Sequence, residues 1–142
     1  MPVTARAEYA CLAMLELAHR YADPKPVRLT EITDKHAIPE RFLVQILLQL
    51  KTVGLVTTTR GKAGGYQLAK RPEEVTLADI VGALDGRGES EERPEGGSGM
   101  SQTLQVLWGG LARELAETRT NYLTQYRLSD LLTNESEADY SI

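Results

Sequence analysis

The stretch PERFLVQILLQLKTVG (Pro39–Gly54), together with what flanks it, constrains this chain more than any other feature. Leu43, Ile46, Leu47 and Leu50 recur at helical spacing as one apolar stripe, and Arg41, Val44, Gln45, Gln49 and Thr52 fall away from it. Pro39 suits the first turn of such a helix, where its missing N–H costs nothing, and Gly54 stops it. Just upstream, TEITDKH predicts a short helix from Thr30, as N-cap, to His36, with Ala37-Ile38 as a tight connection. Just downstream the character changes. LVTTTR is rich in β-branched residues and YQLAK fits a returning strand. Between them Gly61-Lys62-Ala63-Gly64-Gly65 tolerates positive φ and permits a hairpin tip.

Two short helices joined by a tight turn, followed directly by a hairpin, are in the order of a winged helix-turn-helix. The glycine-rich tip, TTTRGKAGGY, has a second reading as a phosphate cradle for a nucleotide cofactor. A Walker loop needs its lysine after the last glycine and a helix beyond it, whereas Lys62 precedes the glycine pair and a strand-like segment follows. The dinucleotide fingerprint of spaced glycines is absent too. The surroundings favour a wing.

On the N-terminal side, TARAEYACLAMLELAHRY predicts a helix from Thr4 to about Tyr21. Leu12, Met14, Leu15, Leu17 and Ala18 leave it little polar face, so it is expected to be largely buried. DPKPV then breaks the chain. Thr76 is placed to cap TLADIVGALDG, whose Leu77, Ile80, Val81 and Leu84 form another helical stripe. Residues 86–99 hold five glycines, one proline and four glutamates, a composition that reads as a flexible acidic linker. From about Met100 to Arg127 a long helix is predicted, with Leu104, Trp108, Leu111, Leu115, Thr118 and Tyr122 spaced alternately by four and three. That stripe can pack on a second copy or on its own domain, and its position beyond a linker favours the second copy. Gly109-Gly110 either weakens this helix or permits close backbone approach. The tail from Leu128 predicts one more short helix and then a frayed acidic end. The expected division is a DNA-binding unit over 1–85, a linker over 86–99 and a dimerisation helix with tail over 100–142.

Charge is distributed unevenly. Residues 1–72 carry 11 Lys/Arg against 6 Asp/Glu, and residues 73–142 carry 5 against 14. The span Arg41–Arg71 holds six cations and no carboxylate. Such a concentrated positive field suits a polyanion, and the plainer alternative is a solvated basic face. No apolar run approaches the ~18–20 residues of a membrane span, and MPVTARAEYA lacks the apolar core of a signal peptide, so a cytoplasmic protein is expected. Cys11 is the single cysteine, in an apolar stretch where thiols are inert. His19 and His36 lie apart with no carboxylate pattern around them, and Asp79 and Asp85 do not form a paired-carboxylate site. No catalytic or metal site is expected.

The segments EYACLAMLELA, IPERFLVQILLQLKTVGLV and RGKAGGYQLAKRPEEVTLADIVGALDG together resemble the Rrf-two family of transcription regulators over roughly residues 4–86. A weaker likeness continues in the long helix and in YRLSDLL. The resemblance implies a mainly α fold with a small β-hairpin wing, a winged helix-turn-helix domain plus a long dimerisation helix that crosses its mate. It implies double-stranded DNA as partner. Pro39, Glu40, Arg41, Phe42 and Gln45 match the recognition positions, Arg60 matches a wing arginine that enters the minor groove, and Tyr9 matches a first-helix aromatic near the DNA backbone. Gln45 is able to pair with adenine and Arg41 to reach phosphate or guanine. Lys62 and the N–H groups around Gly64 are placed to hold phosphates. Leu104, Trp108, Leu111, Leu115 and Tyr122 are the expected dimer contacts.

Two departures matter. Cluster-binding members carry three cysteines between the fourth helix and the long helix, and this chain has none there, so no iron–sulfur cluster and no other cofactor is expected. Glu8, where some members supply a carboxylate ligand, then reads as a surface residue. Val44 and Pro39 stand where members often have glutamate and serine, which implies an altered operator preference. The expected function is a non-enzymatic, homodimeric DNA-binding repressor. The alternative is an adaptor built on a winged helix that has lost DNA binding. The effector, whether a small molecule near Trp108, a partner protein or none, stays open.

Overall fold

The computed structural model describes residues 4–85 and 101–133. Thr4 starts helix α1 (Ala5–His19), its hydroxyl accepting the Ala7 N–H at 3.2 Å. Ala10, Ala13, Met14 and Leu17 of α1 are buried, while Leu12 and Leu15 are half-buried at the edge of the core. Helix α2 (Leu29–His36) begins before Thr30, the expected cap. Glu31 reaches back to accept the Arg28 N–H at 2.8 Å, which makes Arg28 the N-cap and draws Thr30 into the first turn. Ala37, at φ 53°, turns the chain towards helix α3 (Glu40–Thr52). Pro39 is the N-cap of α3 rather than a member of its first turn, since its ψ of 130° is extended. Leu43, Ile46, Leu47 and Leu50 are all fully buried, and Gly54 leaves α3 at φ 82°, as expected of a helix stop.

Strands β1 (Val56–Thr59) and β2 (Gly65–Leu68) pair antiparallel, with Val56 opposite Leu68 and Thr59 opposite Gly65. A third piece joins them. Val27 exchanges two backbone hydrogen bonds with Tyr66, at 2.9 and 2.8 Å, so the segment before α2 is bridged to the outer edge of β2. The Gln67 side chain adds a bond to the Pro24 carbonyl at 3.1 Å. At the tip only Gly61 uses positive φ, at 108°. Gly64 and Gly65 serve a different need, because a Cβ at either would fall 2.2 Å from the Thr59 carbonyl oxygen or 2.3 Å from that of Val27.

The turn Pro72–Glu74 leads into α4 (Leu77–Asp85), capped reciprocally by Thr76 and Asp79 at 3.1 and 3.0 Å. Ile80, Val81 and Leu84 face the core that α4 shares with α1 and α3. Helix α5 (Gln102–Thr124), capped by Ser101, packs against α4. Leu128 N–H bonds the Val75 carbonyl at 2.9 Å and Leu77 N–H bonds that of Tyr126 at 2.8 Å. This ties the end of α5 back onto the domain, and Leu128, first of a helical turn over 128–133, is fully buried. The linker expected over 86–99 and the frayed end beyond 133 lie outside the described residues.

Among the described residues, one charged residue is in the core. Glu16 on α1 is 2 % exposed, and Lys35 Nζ (2.9 Å), His36 Nε2 (3.2 Å) and Arg20 Nε (3.3 Å) converge on its carboxylate. His36, for which no carboxylate neighbour is expected from sequence, therefore has one. Burial pushes the Glu16 carboxyl up, but hydrogen bonds from Lys35 and His36 and the charges of Lys35 and Arg20 outweigh it and hold the group below the ordinary 4.5. A carboxyl depressed in the folded state adds stability above its unfolded value, and that stability is lost as pH falls through the lower folded value. Glu16→Gln is expected to cost about 1–2 kcal/mol at neutral pH, the discount reflecting half-exposed Lys35. The gap between the two proteins should close in melts run below pH 4.5, and a gap constant with pH would refute the assignment.

Candidate nucleic-acid interface

The stripe that buries one side of α3 leaves the other side facing out, and the expected recognition positions on this helix lie there. Arg41, Val44, Gln45 and Leu48 are exposed, Leu48 at 61 %. Glu40 opens the helix and Pro39 caps it, both exposed. The Arg41 guanidinium lies 4.9 Å from the centre of the Phe42 ring, a cation–π pair at the start of the helix. Tyr9 stands on α1, half-buried against the core. Arg6, one turn earlier, donates to the Gln49 side chain at 2.7 Å and so couples α1 to α3.

β1 carries the chain away from α3 and delivers Arg60 at its end, exposed, with Lys62 exposed at the tip. The Gly64 N–H bonds the Gly61 carbonyl at 3.0 Å, so this amide shapes the tip. Between α3 and the hairpin lies an open cleft of about 470 Å³, lined by Val44, Leu48 and Lys51 on one wall and by Thr58, Thr59 and Arg60 on the other. Of the six cations in the Arg41–Arg71 span, Arg71 is held by Glu74 at 3.0 Å and Glu73 at 3.6 Å, which removes it from the positive face. Lys51, Arg60 and Lys62 form no ion pair among the described residues. Two residues of this region escape a reading of the sequence, Leu48 and Arg28. Leu48 sits one helical turn after Val44 and is legible in retrospect from that spacing. Arg28 reaches the Lys62 carbonyl at 3.4 Å, a contact no local pattern announces.

The expected dimer contacts form one face of α5. Leu104, Trp108, Leu111, Leu115 and Tyr122 are all between 54 and 71 % exposed. Tyr122 extends the face to Tyr126, with hydroxyls 3.3 Å apart and ring centres 5.4 Å apart.

The buried helix stripe, the outward recognition-type helix and the hairpin beside it define a winged helix-turn-helix protein with a long additional helix. The chain belongs to the Rrf2 family, whose profile, described as iron-dependent transcriptional regulator, matches residues 3–134. It is 31% identical over 139 residues to the HTH-type transcriptional regulator IscR of Photorhabdus laumondii, covering 98% of this chain and 84% of that one. It is 30% identical over 141 residues to IscR of Escherichia coli K12, covering 99% and 86%. Among solved structures, T. potens IscR superposes with a TM-score of 0.74 at 26% identity, covering 99% of this chain and 92% of that one. CymR, the global cysteine regulator of B. subtilis, follows at 0.66 and 26%, covering 93% and 96%. Family and fold make the chain a DNA-binding transcriptional regulator and not an enzyme.

The family description names iron, and the residues present do not fit a thiolate-held cluster. The whole sequence offers one thiol. Burial, together with the nearby Glu8 carboxylate, pushes Cys11 up to about 11, so at neutral pH it is a protonated thiol on α1. Among the described residues no three His, Cys, Asp or Glu side chains gather to hold a metal ion. Nor is any described helix long and apolar enough to cross a membrane.

Proposed function

We propose that the chain is a cytoplasmic, sequence-specific repressor that binds operator DNA as a homodimer, without an iron–sulfur cluster. In this reading α3 enters the major groove and the wing enters the adjacent minor groove. The observation that carries it is the outward face of α3 beside a wing whose cations Arg60 and Lys62 have no ion-pair partner among the described residues. Gln45 and Arg41 present an amide and a guanidinium for base edges, and Val44 presents methyl groups to thymine. Arg60 suits a narrow A·T-rich minor groove, where the potential is most negative. The 1–85 unit binds the half-site and the 100–142 unit joins two copies, so the operator is a pseudo-palindrome. Bound there, the dimer represses by occupying promoter DNA.

Arg60→Ala tests the reading. Measured by anisotropy on a duplex recovered by binding-site selection, it is expected to weaken binding about 10- to 100-fold and to relax discrimination at flanking A·T positions. The wild-type affinity should fall steeply with salt. A wild-type protein with no duplex affinity at low salt would replace this reading with the protein-interaction adaptor.

A further inference from the structure

The cleft between α3 and the wing holds more positive charge than the recognition residues account for. Arg28 lines it from the N-cap of α2, Lys51 from the last turns of α3 and Arg60 from the end of β1, and no carboxylate lines it. Three features hold Arg28 there. Its own N–H is bonded to Glu31 Oε2 at 2.8 Å, and Val27 just before it is paired with Tyr66. Its guanidinium leans across to the wing, with Nη2 3.4 Å from the Lys62 carbonyl oxygen. Glu31, the nearby carboxylate, is occupied on its other oxygen by Arg20 Nη1 at 3.1 Å. The guanidinium is thus carried on a fixed backbone beside the cleft, exposed, with donors to spare.

A helix in one groove and a wing in the neighbouring groove leave a single strand of the duplex between them. That strand presents one phosphate per ~3.4 Å. We propose that the α3–wing cleft seats this sugar–phosphate strand, with Arg28 and Lys51, which both line the cleft, gripping its phosphates. The proposal rests on the duplex-binding reading and adds to it two phosphate-binding residues outside the recognition positions. Contacts of this kind hold register and carry no sequence preference.

The full-length protein is titrated with two fluorescein-labelled duplexes of about 30 base pairs, one recovered by selection and one scrambled, across a range of salt. Arg28→Ala and Lys51→Ala are each expected to lose about 3- to 10-fold on both duplexes alike, and to make the log–log salt slope shallower by about 0.9 per half-site, or about 1.8 for the dimer. Arg28→Lys should recover most of the loss, with melting temperatures verifying that every variant is folded. Unchanged affinity and slope in both alanine variants, with a wild type that binds, would overturn this inference alone. So would a loss confined to the selected duplex with an unaltered slope and no rescue by lysine, which would make Arg28 a residue that merely positions the wing. A wild type that binds neither duplex would overturn the duplex reading and this inference together.

Discussion

Leu111→Glu combined with Leu115→Glu is expected to convert the protein to a monomer and to lower its affinity for a two-half-site operator by about 100- to 1,000-fold. Helix α5 spans 23 residues, and none of its residues is buried in the single chain. Leu104, Trp108, Leu111 and Leu115 stand 54, 55, 60 and 71 % exposed at alternating four- and three-residue steps, the spacing that lets two helices interlock. An apolar stripe of this length left in water is unusual for a monomer. Gly109 and Gly110 point the same way. A Cβ at either would meet nothing within 4 Å, so the chain's own packing does not require two helix-weakening residues at mid-helix. Close approach by a second backbone, as in the proposed dimer, would. In a homodimer the double variant would place four carboxylates in such a seam, where they must be desolvated opposite leucines at a cost of several kcal/mol. Because both positions are exposed in the single chain, residues 4–85 should melt as in the wild type. The measurement is sedimentation velocity beside operator titration. A double variant that sediments as a dimer and binds with wild-type affinity would exclude α5 as the seam.

Most of the recognition unit is legible in the sequence because its signals are local. The α3 stripe, the stop at Gly54, the Thr76–Asp79 cap and the β-branched run of β1 each depend on residues within a few positions of one another. What is not legible depends on distant partners. Nothing in PVRL marks Val27 as a bridge residue, since it becomes one only when β2 arrives alongside. The burial of Glu16 makes sense only once Lys35 and His36 at the end of α2 close over it. The start of α2 shifts from Thr30 to Leu29 for a related reason. Thr30 is the stronger cap by residue type, but Glu31 serves Arg28 N–H and Arg20 at once, a tertiary gain that outweighs local preference. The glycines of TTTRGKAGGY show the same division. Their presence marks a turn, yet the need at Gly64 and Gly65 is room rather than positive φ.

That distinction leads to the second large effect. Gly65→Ala is expected to destabilise the domain by about 2–4 kcal/mol, whereas Gly82→Ala should stabilise it by up to about 1 kcal/mol. At Gly65 the added methyl would lie 2.3 Å from the Val27 carbonyl oxygen and 2.7 Å from its carbon. These are backbone atoms, so no rotamer change relieves the overlap, and the Val27–Tyr66 bridge with its 2.9 and 2.8 Å bonds must open. At Gly82, on α4, an added methyl would meet nothing within 4 Å and φ is not positive, so alanine there gains helix propensity. Melting followed by circular dichroism separates the two by roughly 10 °C or more. The bridge also joins the wing to the segment that presents Arg28, so Gly65→Ala should weaken DNA binding even at temperatures where the domain stays folded. If Gly65→Ala melts with the wild type and binds as tightly, the bridge is not what holds the wing, and Arg60 owes its placement to the β1–β2 pairing alone.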